Sequence, residues 1–336
     1  MEREGTWQMP ATNAAEASEE RLKRALKAFD DALPDEELIV EAVPGVAHPI
    51  NRGLDGASNL LRGRSTGRTF FLKVLSPQTS SEACFKDICK TAQSAHALGI
   101  APKLISADDA ESALLFDGLT EEWTFGTVRA FRNREVRFNA VDCLKQLHET
   151  DALSTRVSVF DRIGRLKGRL NDLASTMPDS AGRIVPELYH TMCDWTSRIK
   201  TAIDASGHDD APCKVENSLS NFMISPSGHI RLVDFDRATM TDPFFDIGVL
   251  CNEFCRTDED IAEIVEAYRG SIHTAELARV KLYMIASAFH LGLWGIVSQY
   301  RAPKTQIEFF KYGQNQFLRC RSALARWDVG HLVRKV

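Results

Sequence analysis

Four residues whose types could do chemistry flank two short apolar runs. Glu216 and Asn221 precede the first run, and Asp234 and Asp236 follow the second. The runs, Asn221–Ile224 and Ile230–Val233, are joined by Ser225-Pro226-Ser227-Gly228, which has the composition of a hairpin turn. A hairpin brings its outer ends together, so a carboxylate, an amide and two further carboxylates would meet at one mouth. Phosphoryl transfer uses that set: one carboxylate near an acceptor hydroxyl, and an amide and a carboxylate holding Mg²⁺ against nucleotide phosphates. Asn221 stands five residues after Glu216 and thirteen before Asp234. Kinase-type sites use the same five-residue step from catalytic carboxylate to metal-binding Asn.

The rest of the chain must position that mouth. Its 336 residues, 44 % of them hydrophobic, can bury a large core and suggest about two domains. A net charge of −5 argues against a nucleic-acid partner. The eight cysteines form no metal-type CxxC pair and read as buried thiols of a reducing compartment. The N-terminus is acidic and lacks the apolar run of a signal peptide, so the expected location is cytoplasmic. Residues 1–17 read as a loose arm. Ser18 can cap a helix to about Ala32 that turns Leu22, Ala25, Leu26 and Phe29 inward. Strand patterns follow at Leu38–Val43, Asn59–Arg64 and Thr69–Leu75.

Between the first two strands, Gly53, Gly56, Ser58 and Asn59 belong to a glycine-bearing segment whose backbone could approach phosphates closely. Lys73, inside the apolar strand downstream, resembles the phosphate-pairing lysine of kinases. A helix over Ser81–Leu98 and strands at Leu104–Ser106 and Ala113–Phe116 come next, and Asp117–Glu121 reads as a hinge. The expected division is therefore a nucleotide-binding lobe over 18–118 and a helical catalytic lobe over 119–336. Leu282–Tyr300 carries no charge for nineteen residues. Its His290, Ser287, Ser298, Gln299 and two glycines favour a buried helix over a membrane span. Ten acidic residues between Asp234 and Glu266, against Arg237 and Arg256, would suit a cationic acceptor or simply a solvated face.

The central stretch resembles the aminoglycoside phosphotransferase and choline/ethanolamine kinase superfamily. That superfamily's pattern is His-x-Asp-x4-Asn, followed by an apolar strand ending in Asp-Phe-Asp/Glu. Here Asn221 and Asp234-Phe235-Asp236 match, while Glu216 stands for the catalytic Asp and Lys214 for the His. Asp242-Pro243-Phe244-Phe245-Asp246-Ile247-Gly248 also matches, and the resemblance implies that Asp246 buttresses the catalytic loop. It asks too for an acidic partner of Lys73, for which Glu82 and Asp87 both remain open. Phe289–Gly295 and Phe309–Tyr312 resemble the C-terminal part of choline and ethanolamine kinases, where aromatic residues cage a quaternary ammonium. Of that cage Trp294 is present, Leu291 replaces the first Trp, and Arg237 stands where an aromatic is expected.

The fold expected is α+β and bilobal, protein-kinase-like, with a small β-rich lobe and a large helical lobe. The implied function is ATP- and Mg²⁺-dependent phosphorylation of a small, amine-bearing acceptor. Lys73 would hold the nucleotide, Asn221, Asp234 and Asp236 the metal, and Glu216 with Lys214 would do the chemistry at an acceptor bounded by Trp294 and Arg237. The alternative is a pseudokinase that kept the fold and lost transfer through Glu216.

Overall fold

The computed structural model describes residues 12–33, 36–43, 56–176, 185–301 and 308–336. Gly53 lies outside them. Strand alternation builds the small lobe. Strands β1 (Leu38–Val43), β2 (Gly56–Gly63), β3 (Thr69–Leu75), β4 (Leu104–Asp108) and β5 (Ala113–Asp117) form one antiparallel sheet in the order β1-β2-β3-β5-β4. Successive side chains on a strand point to opposite faces. Leu61, Phe70, Leu72, Val74, Ala113 and Leu115 therefore bury one face, against Ala25 and Phe29. Their neighbours Ser58, Leu60, Phe71, Lys73, Leu114 and Phe116 open onto a cleft on the other.

Several boundaries differ from the sequence reading: the strand expected at Asn59–Arg64 spans Gly56–Gly63, and the helices differ more. The first helix runs Thr12–Ala28 and so includes six residues expected in the arm. Ala14, Ala15, Glu16 and Ala17 are strong helix formers, which outweighs the capping preference of Ser18. The single helix expected over Ser81–Leu98 is two, Pro77–Glu82 and Phe85–Ala97. Ser76 caps the first by accepting from the Thr79 N–H at 3.1 Å, with Pro77 in the opening turn, and Ala83 is already extended.

The chain leaves the first sheet at Asp117 and enters a second at β6 (Thr124–Phe125), which pairs with β7 (Phe222–Ile224) and, through it, β8 (Ile230–Leu232). Helices dominate the large lobe. Its axis is the 28-residue helix Thr274–Arg301, whose Leu282, Ile285, Phe289 and Ile296 are wholly buried. Length and composition would let this helix cross a membrane, but 89 % of its apolar window is buried in the protein. Helices Val159–Thr176, Pro243–Phe254 and Phe309–Arg326 pack around it. A Cβ on Gly295 would sit 2.7 Å from the Gly313 Cα, so glycine there lets two helix backbones touch.

Candidate active site

Register in the hairpin fixes the mouth. Phe222 pairs with Leu232 and Ile224 with Ile230, and the turn closes with Gly228 at φ 81°. Beyond the paired residues, the Val233 N–H donates to the Asn221 carbonyl at 3.1 Å, holding the two outer ends together. Asp234 then adopts φ 67°, a left-handed conformation rare for a residue with a side chain. Strain of that kind, about 1–3 kcal/mol, persists where surrounding contacts over-determine it. Here Lys73 Nζ lies 2.7 Å from Asp234 Oδ1 and 2.6 Å from Asp236 Oδ2. Asn221 Nδ2 donates to the Glu216 carbonyl at 3.1 Å and reaches Asp234 Oδ2 at 3.4 Å. The structure thus brings together Lys73, Glu216, Asn221, Asp234 and Asp236, with Lys73 standing 161 residues before Asp234 in the chain.

The acidic partner left open for Lys73 is not Asp87. That carboxylate is buried in helix Phe85–Ala97 and accepts four bonds of 2.7–2.8 Å from the main chains and hydroxyls of Ser154 and Thr155. Glu82 turns toward Arg169 and Arg237.

Lys214 is placed differently from the expectation. It is wholly buried under the loop, and its ammonium donates to the Glu216 carbonyl oxygen. Its side chain therefore holds the backbone that carries Glu216, rather than reaching a substrate. Burial, which disfavours the charged form, pushes its pKa down; Asp234, Glu216 and Asp246 act in the opposite sense. The next residue, Val215, takes φ 73°, a strained value for a β-branched side chain. Asp246 secures that turn: its Oδ2 accepts from the Lys214 N–H and its Oδ1 from the Val215 N–H, both at 2.8 Å. His148 backs the same carboxylate at 3.2 Å and meets the Tyr268 hydroxyl at 2.9 Å, a structural arrangement.

On the small-lobe side the cleft is a cavity of about 410 Å³ that ends at Glu216, Asn221, Asp234 and Asp236. Gly56 and Ser58 line it. Asn59 does not; it is buried on the opposite face of β2, one residue out of phase. Gly56 owes its lack of a side chain to strand pairing, since a Cβ there would lie 2.3 Å from the Val74 carbonyl oxygen.

A second, narrower cavity of about 50 Å³ opens on the far side of Glu216. Trp294 and Arg237 both border it, as does Leu291. Trp294 is held edge-on by Phe309 and Tyr312, with ring centroids 5.6 and 5.8 Å away. Three further arginines that the sequence reading passed over line this cavity: Arg162, Arg165 and Arg169. They occupy i, i+3 and i+7 of helix Val159–Thr176, one face of the helix, and that spacing was the available signal.

The ten acidic residues do not gather at this cavity. Asp242 meets Arg279 and Tyr283, Glu253 meets Arg319, Asp258 meets Lys281 and Arg326, and Glu263 meets Arg134 and Arg137. Asp260 closes a capping box with Thr257. Most of the count is scaffold.

The model of the Phosphotransferase enzyme family matches residues 218–283, the span that carries the hairpin and Asp246. Comparison with curated protein sequences finds no match. Among solved structures, a choline/ethanolamine kinase family protein from Mesorhizobium loti superposes with a TM-score of 0.73 at 18 % identity, covering 94 % of this chain and 98 % of that one. The choline kinase LicA from Streptococcus pneumoniae gives 0.72 at 17 % identity, with coverages of 92 % and 100 %. The spectinomycin phosphotransferase APH(9)-Ia gives 0.58 at 12 %, with 94 % and 98 %. The fold is that of the choline kinase and aminoglycoside phosphotransferase superfamily. In that frame the five-stranded sheet is the kinase-like small lobe and the helical remainder the large lobe.

Proposed function

We propose that this protein is an ATP- and Mg²⁺-dependent phosphotransferase acting on a hydroxyl of a small molecule. The observation that carries the reading is the position of Glu216, whose residue borders both cavities. One cavity ends in Lys73, Asn221, Asp234 and Asp236, and the other is walled by Arg237 and Trp294. A carboxylate between a nucleotide-sized cleft and a smaller pocket is where an acceptor hydroxyl must be oriented. Adenine nucleotide is supported by relatives of the same fold: LicA has been solved with AMP and APH(9)-Ia with ADP.

The donor set suits Mg²⁺, a hard cation that prefers oxygen ligands and few protein contacts. Asp234 and Asp236 supply carboxylates, and Asn221 donates through its amide nitrogen, which leaves its oxygen for a cation. Bound there, Mg²⁺ neutralises charge on the phosphates. Lys73 adds a fixed positive charge at the same end of the cleft. Glu216 accepts the hydrogen of the acceptor hydroxyl and aims its oxygen along the line of transfer. Lys214, Val215 and Asp246 hold Glu216's backbone, so little reorganisation accompanies the reaction.

A pseudokinase is the second reading, favoured by one observation: Arg237 Nε lies 3.7 Å from Glu216 Oε1 and competes for the carboxylate. Incubation with Mg·ATP and a panel of amino alcohols, aminoglycosides, sugars and hydroxy acids decides between them. Acceptor-dependent release of ADP supports the enzyme. Tight Mg·ATP binding without turnover over the whole panel supports the scaffold.

A further inference from the structure

Resting on the phosphotransferase reading, we infer that the acceptor carries an anionic group, a carboxylate or a phosphate, bound by Arg162 and Arg165 while its hydroxyl meets Glu216. The amine expected from the sequence is the wrong charge for this pocket. Four arginines line the cavity beyond Glu216, and Glu82 and Glu216 are its acidic members. Glu82 is taken up by Arg169 and Arg237, and Arg237 also approaches Glu216. Among the described residues, Arg162 and Arg165 form no ion pair.

Arg162 is the decisive one. Its Nη2 donates to the Arg237 carbonyl at 3.1 Å, while its Nε is buried with no hydrogen-bond partner. A buried guanidinium N–H left unmade is costly, and an anion is the group that satisfies it. The electrostatics agree: burial first, then the neighbouring Arg237, push Arg162 down to about 10. Arg165, exposed one turn along the same helix face, stands at the pocket rim. Two guanidinium forks three residues apart match the oxygens of a carboxylate or phosphate. An ammonium group entering here would meet repulsion from both. The nucleotide cleft on the other side of Glu216 is lined by Lys73 and by none of these arginines, so the cluster is not a phosphate clamp for ATP.

The test is calorimetric titration of the full-length protein, saturated with Mg·ADP, with D-glycerate and glycerol 3-phosphate. Glycerol and ethanolamine serve as their uncharged and cationic counterparts. At least one anion should bind, the two distinguishing carboxylate from phosphate, and the counterparts should give no heat. Arg165→Gln, a rim substitution that loses no ion pair among the described residues, should weaken that binding at least tenfold, and Arg162→Gln by as much or more. Because the readout is binding, it stands apart from turnover: anion binding lost in Arg165→Gln with no transfer to any acceptor keeps this site and removes the enzyme. Ethanolamine binding in place of the anions overturns the inference. So does a flat titration with both anions, or anion binding that vanishes when Mg·ADP fills the cleft.

Discussion

The two sides of Glu216 are built by different means. On the nucleotide side, one strand-borne lysine faces carboxylates delivered by a hairpin, in a cleft whose walls are otherwise largely apolar. On the acceptor side, a helix face, a loop arginine and the buried axis of the large lobe meet around a cavity about an eighth the size. Charge follows the same division: carboxylates gather at one end of the cleft, and guanidinium groups wall the pocket beyond. Glu216 stands at the boundary, and Arg237 reaches toward it from the cationic side. The hairpin geometry is set by backbone register, whereas the charge of the pocket is set by a few side chains on one helix face and a loop arginine.

The largest effect should follow from damage to the nucleotide side. Asp234→Ala should lower transfer on the order of a thousandfold, since preorganised charge at the phosphates is the main resource of this chemistry. It should also abolish the Mg²⁺-dependent part of the rise in Tm that ATP produces, by the linkage any native-state ligand obeys. An unchanged Mg·ATP increment in the variant would take Asp234 out of the site. Shortening the boundary residue should cost less. Glu216→Asp withdraws the carboxylate by about 1 Å, a misplacement worth roughly a hundredfold in rate. Glu216→Gln, which cannot accept a proton, should fall further, and neither change should weaken ATP binding. Indifference to both substitutions would mark Glu216 as a relic and the protein as a scaffold.

The nucleotide side was the legible one, for a physical reason. Lys73, Asn221, Asp234 and Asp236 each sit at a phase fixed by a local period: alternation along β3, or the spacing across a hairpin turn. Asn59 shows the limit of that reasoning. Loop and strand cannot be told apart at Gly56–Asn59 without the pairing of Ser58 with Lys73, and one residue of phase turns Asn59 to the buried face. The acceptor side was read only in part, and its arginines were missed, because its residues come from Glu82, Arg162, Arg237 and Trp294, separated by whole elements. No local pattern says which helix faces meet. The run of acidic residues was visible for the opposite reason: it is contiguous in sequence, yet the fold spreads it over caps and ion pairs.

A smaller effect should come from the aromatic wall of the acceptor pocket. Trp294→Leu keeps an apolar side chain on the axial helix but removes the ring that Phe309 and Tyr312 hold edge-on. The KM for the true acceptor should rise about tenfold, the value of one to two kcal/mol of lost packing, with the KM for ATP within twofold. Parallel rises in both constants would make Trp294 part of the core alone and erase the distinction between the two sides at this position.

The smallest effect concerns the floor that both sides share. Lys214 lies wholly buried beneath Glu216, with a pKa lowered first by burial. In the unfolded chain it titrates near about 10.4. Between the lowered folded value and that figure, the unfolded state binds the proton that the folded state has released. Stability therefore rises with pH across this window, and the penalty of the buried ammonium is fully present below it. Lys214→Met removes the charge and keeps the volume, so it should carry no such pH dependence from this site. It also strips the Glu216 carbonyl of the ammonium donor, a loss of about 1–3 kcal/mol if nothing replaces it. The difference in unfolding free energy between wild type and variant, followed from pH 7 to 10.5, isolates the titration from the lost bond, which is constant. It should move in favour of the wild type as pH rises through that window, in the direction the lowered pKa sets. A difference that stays flat would mean the ammonium is as well solvated under the loop as in the unfolded chain. Glu216 would then rest on a floor no different from open surface.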